Sequence, residues 1–132
     1  MKILLDTQRW LWMQVTPERL SQRTLELLRD PDNELYLSAA SSWEIAIKFA
    51  LGKLALPEPP STYVPSRMAN SGVLGLPVEH SHALQVAALP RHHRDPFDRL
   101  LIAQAQLEHL PILTSDRQFT PYEVEIRWAT VD

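Results

Sequence analysis

The 132-residue chain contains no cysteine, which excludes disulfide frameworks, thiolate metal centres and cysteine nucleophiles. It has only three glycines, and they compose no G-x-S-x-G, G-x-G-x-x-G or G-x-x-x-x-G-K word. A nucleophile elbow, a dinucleotide fingerprint and a phosphate-cradling loop are therefore excluded. Long hydrophobic runs are also missing. The N-terminal run Ile3 to Leu5 stops at Asp6, too short for a signal-peptide core, and nothing approaches the roughly 18 apolar residues of a membrane span. The expectation is a soluble, cytoplasmic protein with no membrane contact. Cationic surplus is lacking too: the formal charge of −3 argues against a protein that coats polyanions indiscriminately, although local basic groups, among Arg9, Lys48, Lys53, Arg91, His92, His93, Arg94 and Arg99, can still guide a phosphate chain or else form a solvated face. His92 and His93 are adjacent and no H-x-x-x-H or H-E-x-x-H word occurs, so a helical zinc site is disfavoured.

What remains is an ordinary globular composition, 45% hydrophobic and 22% charged, of a length suited to a single domain spanning residues 1–132. Short apolar runs alternate with helix-patterned stretches, as in βα units around a largely parallel sheet. The pattern predicts strands at about 2–6, 35–38, 73–76 and 111–115, a weaker one near 124–128, and a strand-like C-terminus through 132. Helices are predicted at 17–30, 42–51, 62–71 and 96–109, with a proline-rich turn before Tyr63. His80 and His82 read as a helix start or as surface residues, and Trp10, Trp12 and Trp43 as core or interface anchors.

Four acids stand beside predicted element boundaries. Asp6 closes KILLD, Glu44 lies in SSWEIAIK, Asp98 in HHRDPFDRLLIAQA and Asp116 after ILTS. Ligands gather beyond the carboxyl ends of parallel strands, so the topology can bring all four to one rim. Each acid also has a structural alternative. Asp95 before Pro96 reads as a helix N-cap with Asp98 in the first turn, Ser41 with Glu44 as a capping box, Asp6 as the cap of a short helix and Asp116 as a turn residue. Together they suggest a divalent metal site, because clustered carboxylates repel one another unless a hard cation joins them.

The words LLDT with LW at 4–12, SAASSWEIAIK with LGKL at 38–54, HHRDPFDRLLIAQA at 92–105 and LPILTSDRQFTPYEV at 110–124 together resemble PIN-domain ribonucleases, in particular VapC-type toxins of bacterial toxin–antitoxin pairs. The resemblance covers nearly the whole chain. It implies an α/β/α sandwich with a mainly parallel sheet and Mg²⁺- or Mn²⁺-dependent endonucleolytic cleavage of RNA by a metal-activated water. It maps the family's four acids, as metal ligands and catalytic residues, onto Asp6, Glu44, Asp98 and Asp116. Asp95 is left to the helix cap or an outer-shell role. Thr114 or Ser115 resembles the hydroxyl residue that precedes the last acid, and Lys48, Arg99 and Ser115 are candidate substrate contacts. Glu44 and Lys48, at i and i+4, could equally form a salt bridge. A cognate antitoxin and a homodimer are implied as well. Where many relatives carry histidine after LLDT, this chain has Gln8 and Arg9.

Two rival readings stay open. A phosphatase or receiver-like α/β domain also places acids at strand ends, but the first needs D-x-D where this chain has Asp6-Thr7-Gln8, and the second needs paired early acids and a phosphoacceptor that VLGLP at 73–77 does not offer. A PIN-like binding module without catalysis would have no need of all four acids.

Overall fold

The computed structural model describes residues 1–129. Strands β1 (Lys2–Leu5), β2 (Glu34–Ser38), β3 (Leu74–Leu76), β4 (Ile112–Thr114) and β5 (Ile126–Trp128) form a sheet of order β3-β2-β1-β4-β5. Every pairing is parallel, with Leu4 opposite both Tyr36 and Ile112 in register. Parallel strands are buried on both faces, hence the continuous apolar runs KILL and ILT. Alternation within them sorts side chains to two cores. Ile3, Leu5, Leu35, Leu37 and Leu113 join one cluster with Trp10, Ile45 and Tyr63. Leu4 and Ile112 join the other with Leu101, Ile102 and Phe119. These two cores make the molecule a three-layer α/β/α sandwich, as expected.

The helices are α1 (Thr7–Val15), α2 (Gln22–Arg29), α3 (Ala39–Ala50), α4 (Pro60–Ser71), α5 (His80–Gln85) and α6 (Pro96–Glu108). α1 to α4 supply the first core and α6 the second. The chain runs from β1 outward through β2 to β3, then returns to β4 on the other side of β1. This reversal opens a crevice at the carboxyl ends of β1 and β4, the topological switch point of an open parallel sheet.

Two local expectations are corrected, and a third is decided between its alternatives. The single helix at 17–30 is split: a one-turn 3-10 segment (Pro17–Arg19) ends at Leu20, and Ser21 caps α2 by accepting from the Thr24 amide at 3.1 Å. The Ser41–Glu44 capping box does not form, because α3 starts at Ala39 and its cap is Ser38, whose hydroxyl accepts from the Ala40 amide at 3.0 Å. His82 stands in the first turn of α5 but is buried, not on the surface. Its Nδ1 accepts from the Glu79 amide at 2.9 Å, so Nε2 carries the proton and donates to Glu108 at 2.8 Å. The C-terminal strand expectation holds for β5, and its last residues, 130–132, lie outside the described residues. Trp10 is core, whereas Trp43 is 58% exposed and meets Phe97 edge to face.

A candidate active site at the switch point

Asp6 follows β1 directly. Its amide donates to the Leu113 carbonyl at 3.0 Å, its carbonyl accepts from the Trp10 amide at 3.0 Å, and it occupies the N-cap position of α1. Its side chain lies near enough to the Gln8 amide to be favoured by it but forms no well-aligned capping hydrogen bond. The carboxylate instead accepts a 2.8 Å hydrogen bond from the Thr114 hydroxyl, whose oxygen accepts from the Asp116 amide at 3.0 Å. One buried hydroxyl thus orients groups at both strand ends, an assignment that sequence left between Thr114 and Ser115.

Asp116 behaves as the turn residue that sequence allowed: it caps a 3-10 turn (Arg117–Phe119), accepting from the Gln118 amide at 2.9 Å. Glu44 lies in the second turn of α3, not the first, since the helix begins earlier than expected. Ser41, freed from capping, accepts a 2.7 Å hydrogen bond from Thr7 and ties α3 to α1 beside the crevice. Asp95 is the N-cap of α6 and accepts from the Phe97 and Asp98 amides at 2.9 and 3.0 Å. Proline at position 96 favours this start, since it needs no amide there and holds Asp95 extended.

These acids share one cleft. Asp6, Glu44, Asp95, Asp98 and Asp116 line a cavity of about 370 Å³ together with Lys48 and Ser115. Burial, followed by the charges of Asp95, Asp6, Glu44 and Asp116, pushes the Asp98 carboxyl up to about 8. Burial likewise raises Asp6, against the opposing Thr114 hydrogen bond and the Arg9 charge. Lys48 donates to Glu44 at 2.5 Å, so the i, i+4 pair is present. That bond raises the lysine above its ordinary value.

Arg9, one of the basic groups that sequence offered as a guide for phosphate, is a second cation in this cleft. It is buried, its guanidinium sits 3.8 Å from the centre of the Trp12 ring, and its Nε finds no hydrogen-bond partner. Burial pulls it below the ordinary arginine value, while Asp6 and Asp116 act the other way. The same Trp12 ring also receives Arg19, at 4.0 Å.

Arg99, expected beside the acids, is placed elsewhere. Its guanidinium donates to the carbonyls of Pro90, Val86 and Leu89 and to the Tyr122 hydroxyl at 2.8 to 3.4 Å. Backbone carbonyls hold the side chain, so it clamps the loop before α6. The histidine of that loop stands beside Asp98, a contact that its place in the sequence did not give. The Tyr122 oxygen accepts from Arg99 and from the His93 amide, so its own proton goes to His93 Nδ1 at 2.7 Å. His93 then carries hydrogen on Nε2, which faces Asp98 at 3.4 Å.

The donor set suits a hard divalent cation: carboxylate oxygens converge, and the Asp98 charge is disfavoured until something positive joins it. Among the described residues no three His, Asp or Glu side chains are arranged to hold a metal ion by themselves.

The PIN domain family profile matches residues 3–124. Over 59 residues the chain is 51% identical to ribonuclease VapC16 of Mycobacterium tuberculosis, an alignment covering 45% of this chain and 42% of that protein. The match therefore spans less than half the length of that relative. Among solved structures, VapBC2 of Rickettsia felis bound to a promoter DNA fragment superposes with a TM-score of 0.75 at 14% identity, covering 98% of this chain and all of that one. DNA-bound VapBC of Salmonella typhimurium gives 0.68 at 20% identity over 97% of this chain and 98% of that one. With a family match running from β1 to the segment before β5, and a sandwich that superposes on those structures almost end to end, the chain belongs to the PIN domain family.

Proposed function

We propose that this chain, acting as one domain over 1–132, is a divalent-cation-dependent endoribonuclease and the toxin of a toxin–antitoxin pair. The observation that carries the reading is the convergence of Asp6, Glu44, Asp98 and Asp116, from four separate segments, on one cleft at the switch point. Asp6, Asp98 and Asp116 would hold Mg²⁺ or Mn²⁺, with Glu44 completing the acidic set. When bound, the cation supplies Lewis acidity and positive charge at the scissile phosphate.

The protein's own groups do the rest. Thr114 fixes the Asp6 carboxylate, and the Asp95 cap fixes the start of the helix that presents Asp98. Lys48 neutralises Glu44 and offers its remaining protons to a phosphate oxygen, with Ser115 beside it at the cleft. Arg9, positive and poorly hydrated, offsets the carboxylates from the α1 side. The arrangement orients phosphate and water by charge and hydrogen bonds.

The VapC16 match and the VapBC folds support the toxin reading and an antitoxin partner; a second copy of the chain as partner follows from the family resemblance. No helix among the described residues is long and apolar enough to cross a membrane. The test is cleavage of a total small-RNA pool by antitoxin-free protein in Mn²⁺, with EDTA and Asp98→Asn as controls. Discrete fragments that vanish in both controls support the proposal. Fragments that persist in EDTA, or an inert but folded and metal-loaded wild type, would sink it.

A further inference from the structure

A second, larger cavity of about 890 Å³ adjoins the acidic cleft, and its charge has the opposite sign. Arg91, His92, His93, Arg94 and Arg99 line it, and no acidic side chain does. Arg91 and Arg94 are exposed and form no ion pair or hydrogen bond among the described residues. Their charges are therefore unspent. Arg99 contributes differently: bound to the Val86, Leu89 and Pro90 carbonyls, it gives the wall a fixed shape. His93 is the partition between the two spaces. It lines the basic cavity while its Nε2 faces Asp98 in the acidic one.

The juxtaposition has an electrostatic consequence. A cleft of five carboxylates repels a phosphate chain even when one or two cations reduce its charge, so the chain must be anchored next door. In a molecule of net charge −3, the stretch 91–94 is wholly cationic or imidazole. We propose that this loop cavity is an anchoring site for the RNA backbone. Arg91 and Arg94 bind phosphates adjacent to the scissile one, and the strand crosses His93 to reach the acids. The inference rests on the nuclease reading above but concerns residues that reading does not use. An acidic peptide would meet the same charges, but a continuous polyanion fits better, because His93 of the basic cavity stands against Asp98 of the phosphate-processing cleft.

The test measures binding rather than turnover. The full-length protein is titrated in EDTA against a fluorescein-labelled, randomised 12-mer oligoribonucleotide at several salt concentrations, with cleavage in Mn²⁺ assayed in parallel. The Arg91→Ala/Arg94→Ala double variant should bind roughly tenfold more weakly at low salt, and its log–log salt slope should be shallower by about 1.4, the value for two lost single-strand phosphate contacts. Arg91→Lys/Arg94→Lys, which keeps the charge, should recover most of the affinity. Arg23→Ala/Arg29→Ala, an equal charge loss on the exposed face of α2, should not weaken binding.

Unchanged affinity and slope in the first variant, or an equal loss in the α2 control, overturns the anchoring site. If the wild type cleaves RNA in that case, the nuclease reading survives. Conversely, selective loss of RNA affinity in a wild-type background that never cleaves would keep the anchoring site and defeat the nuclease reading. Should the alanine variant misfold, photocrosslinking of wild type to 4-thiouridine RNA decides: adducts within 91–94 support the site, and adducts only elsewhere refute it.

Discussion

The Thr114 hydroxyl donates to the Asp6 carboxylate at 2.8 Å across 108 residues of sequence, with Thr114 fully buried. The bond joins the ends of β1 and β4 just where the order of the parallel strands reverses. Replacing Thr114 by valine keeps the shape and strands the carboxylate. A hydrogen bond to a charged group contributes about 1.5–3 kcal/mol, so urea unfolding should show a loss of that order at neutral pH. Mn²⁺ affinity, read by calorimetry, should fall roughly 10–100-fold, as for other groups that orient a ligand. Thr114→Ser should behave nearly as wild type. A valine variant with normal stability and metal affinity would show that the bond is incidental.

The two aspartates of the DPFD word should separate in function. Asp98→Asn removes a carboxylate whose charge burial and four neighbouring acids disfavour; cleavage should be lost while the metal-free fold is at least as stable. Asp95→Ala removes the α6 cap and should lower stability by about 1 kcal/mol, with a smaller effect on cleavage. Equal loss of cleavage in both, with intact folds, would refute this division.

The raised Asp98 pKa fixes the direction of a pH effect. Its ordinary value is 3.8 and its folded value about 8, so between those limits the folded chain holds a proton that the unfolded chain has released. Stability due to this group is therefore greatest below about pH 4 and is lost as pH rises toward 8. In EDTA, the Tm of wild type relative to Asp98→Asn should decline from pH 5 to pH 8. Saturating Mn²⁺ should reverse the trend, because the cation binds the ionised form. A flat difference across that range in EDTA would mean that Asp98 ionises freely in the folded protein.

How far the sequence disclosed all this depends on the range of each interaction. Strands β1 and β4 were legible because burial on both faces leaves only apolar choices, and the Asp95-Pro96 cap because its donors lie two and three residues away. The start of α3 was misread because Ser41 satisfies the same local pattern as Ser38, and only the buried partner of each decides: Ser38 donates to Gln104 at 2.6 Å, while Ser41 meets Thr7. The acids themselves could be matched to a family by spacing and neighbouring words. Of their supporting groups, sequence reached Thr114 only as an alternative to Ser115 and did not place His93 or Arg9, since all three act through partners that only the tertiary fold supplies.

Arg99 is the instructive case, for a residue next to a proposed metal ligand turns out to serve the backbone. Its guanidinium contacts three carbonyls of the 86–90 segment and the Tyr122 hydroxyl that also holds His93. Arg99→Met preserves much of the stem but leaves the carbonyls unclamped. The expected result is a stability loss of about 2 kcal/mol, the scale of losing charged hydrogen bonds from a partly exposed site, and faster amide exchange in residues 86–94 than in α6. Lysine should restore little, because one ammonium cannot reproduce a planar fork that reaches several carbonyls at once. If Arg99 instead contacted substrate directly, cleavage would fall without any change in loop exchange, and the lysine variant would recover part of it.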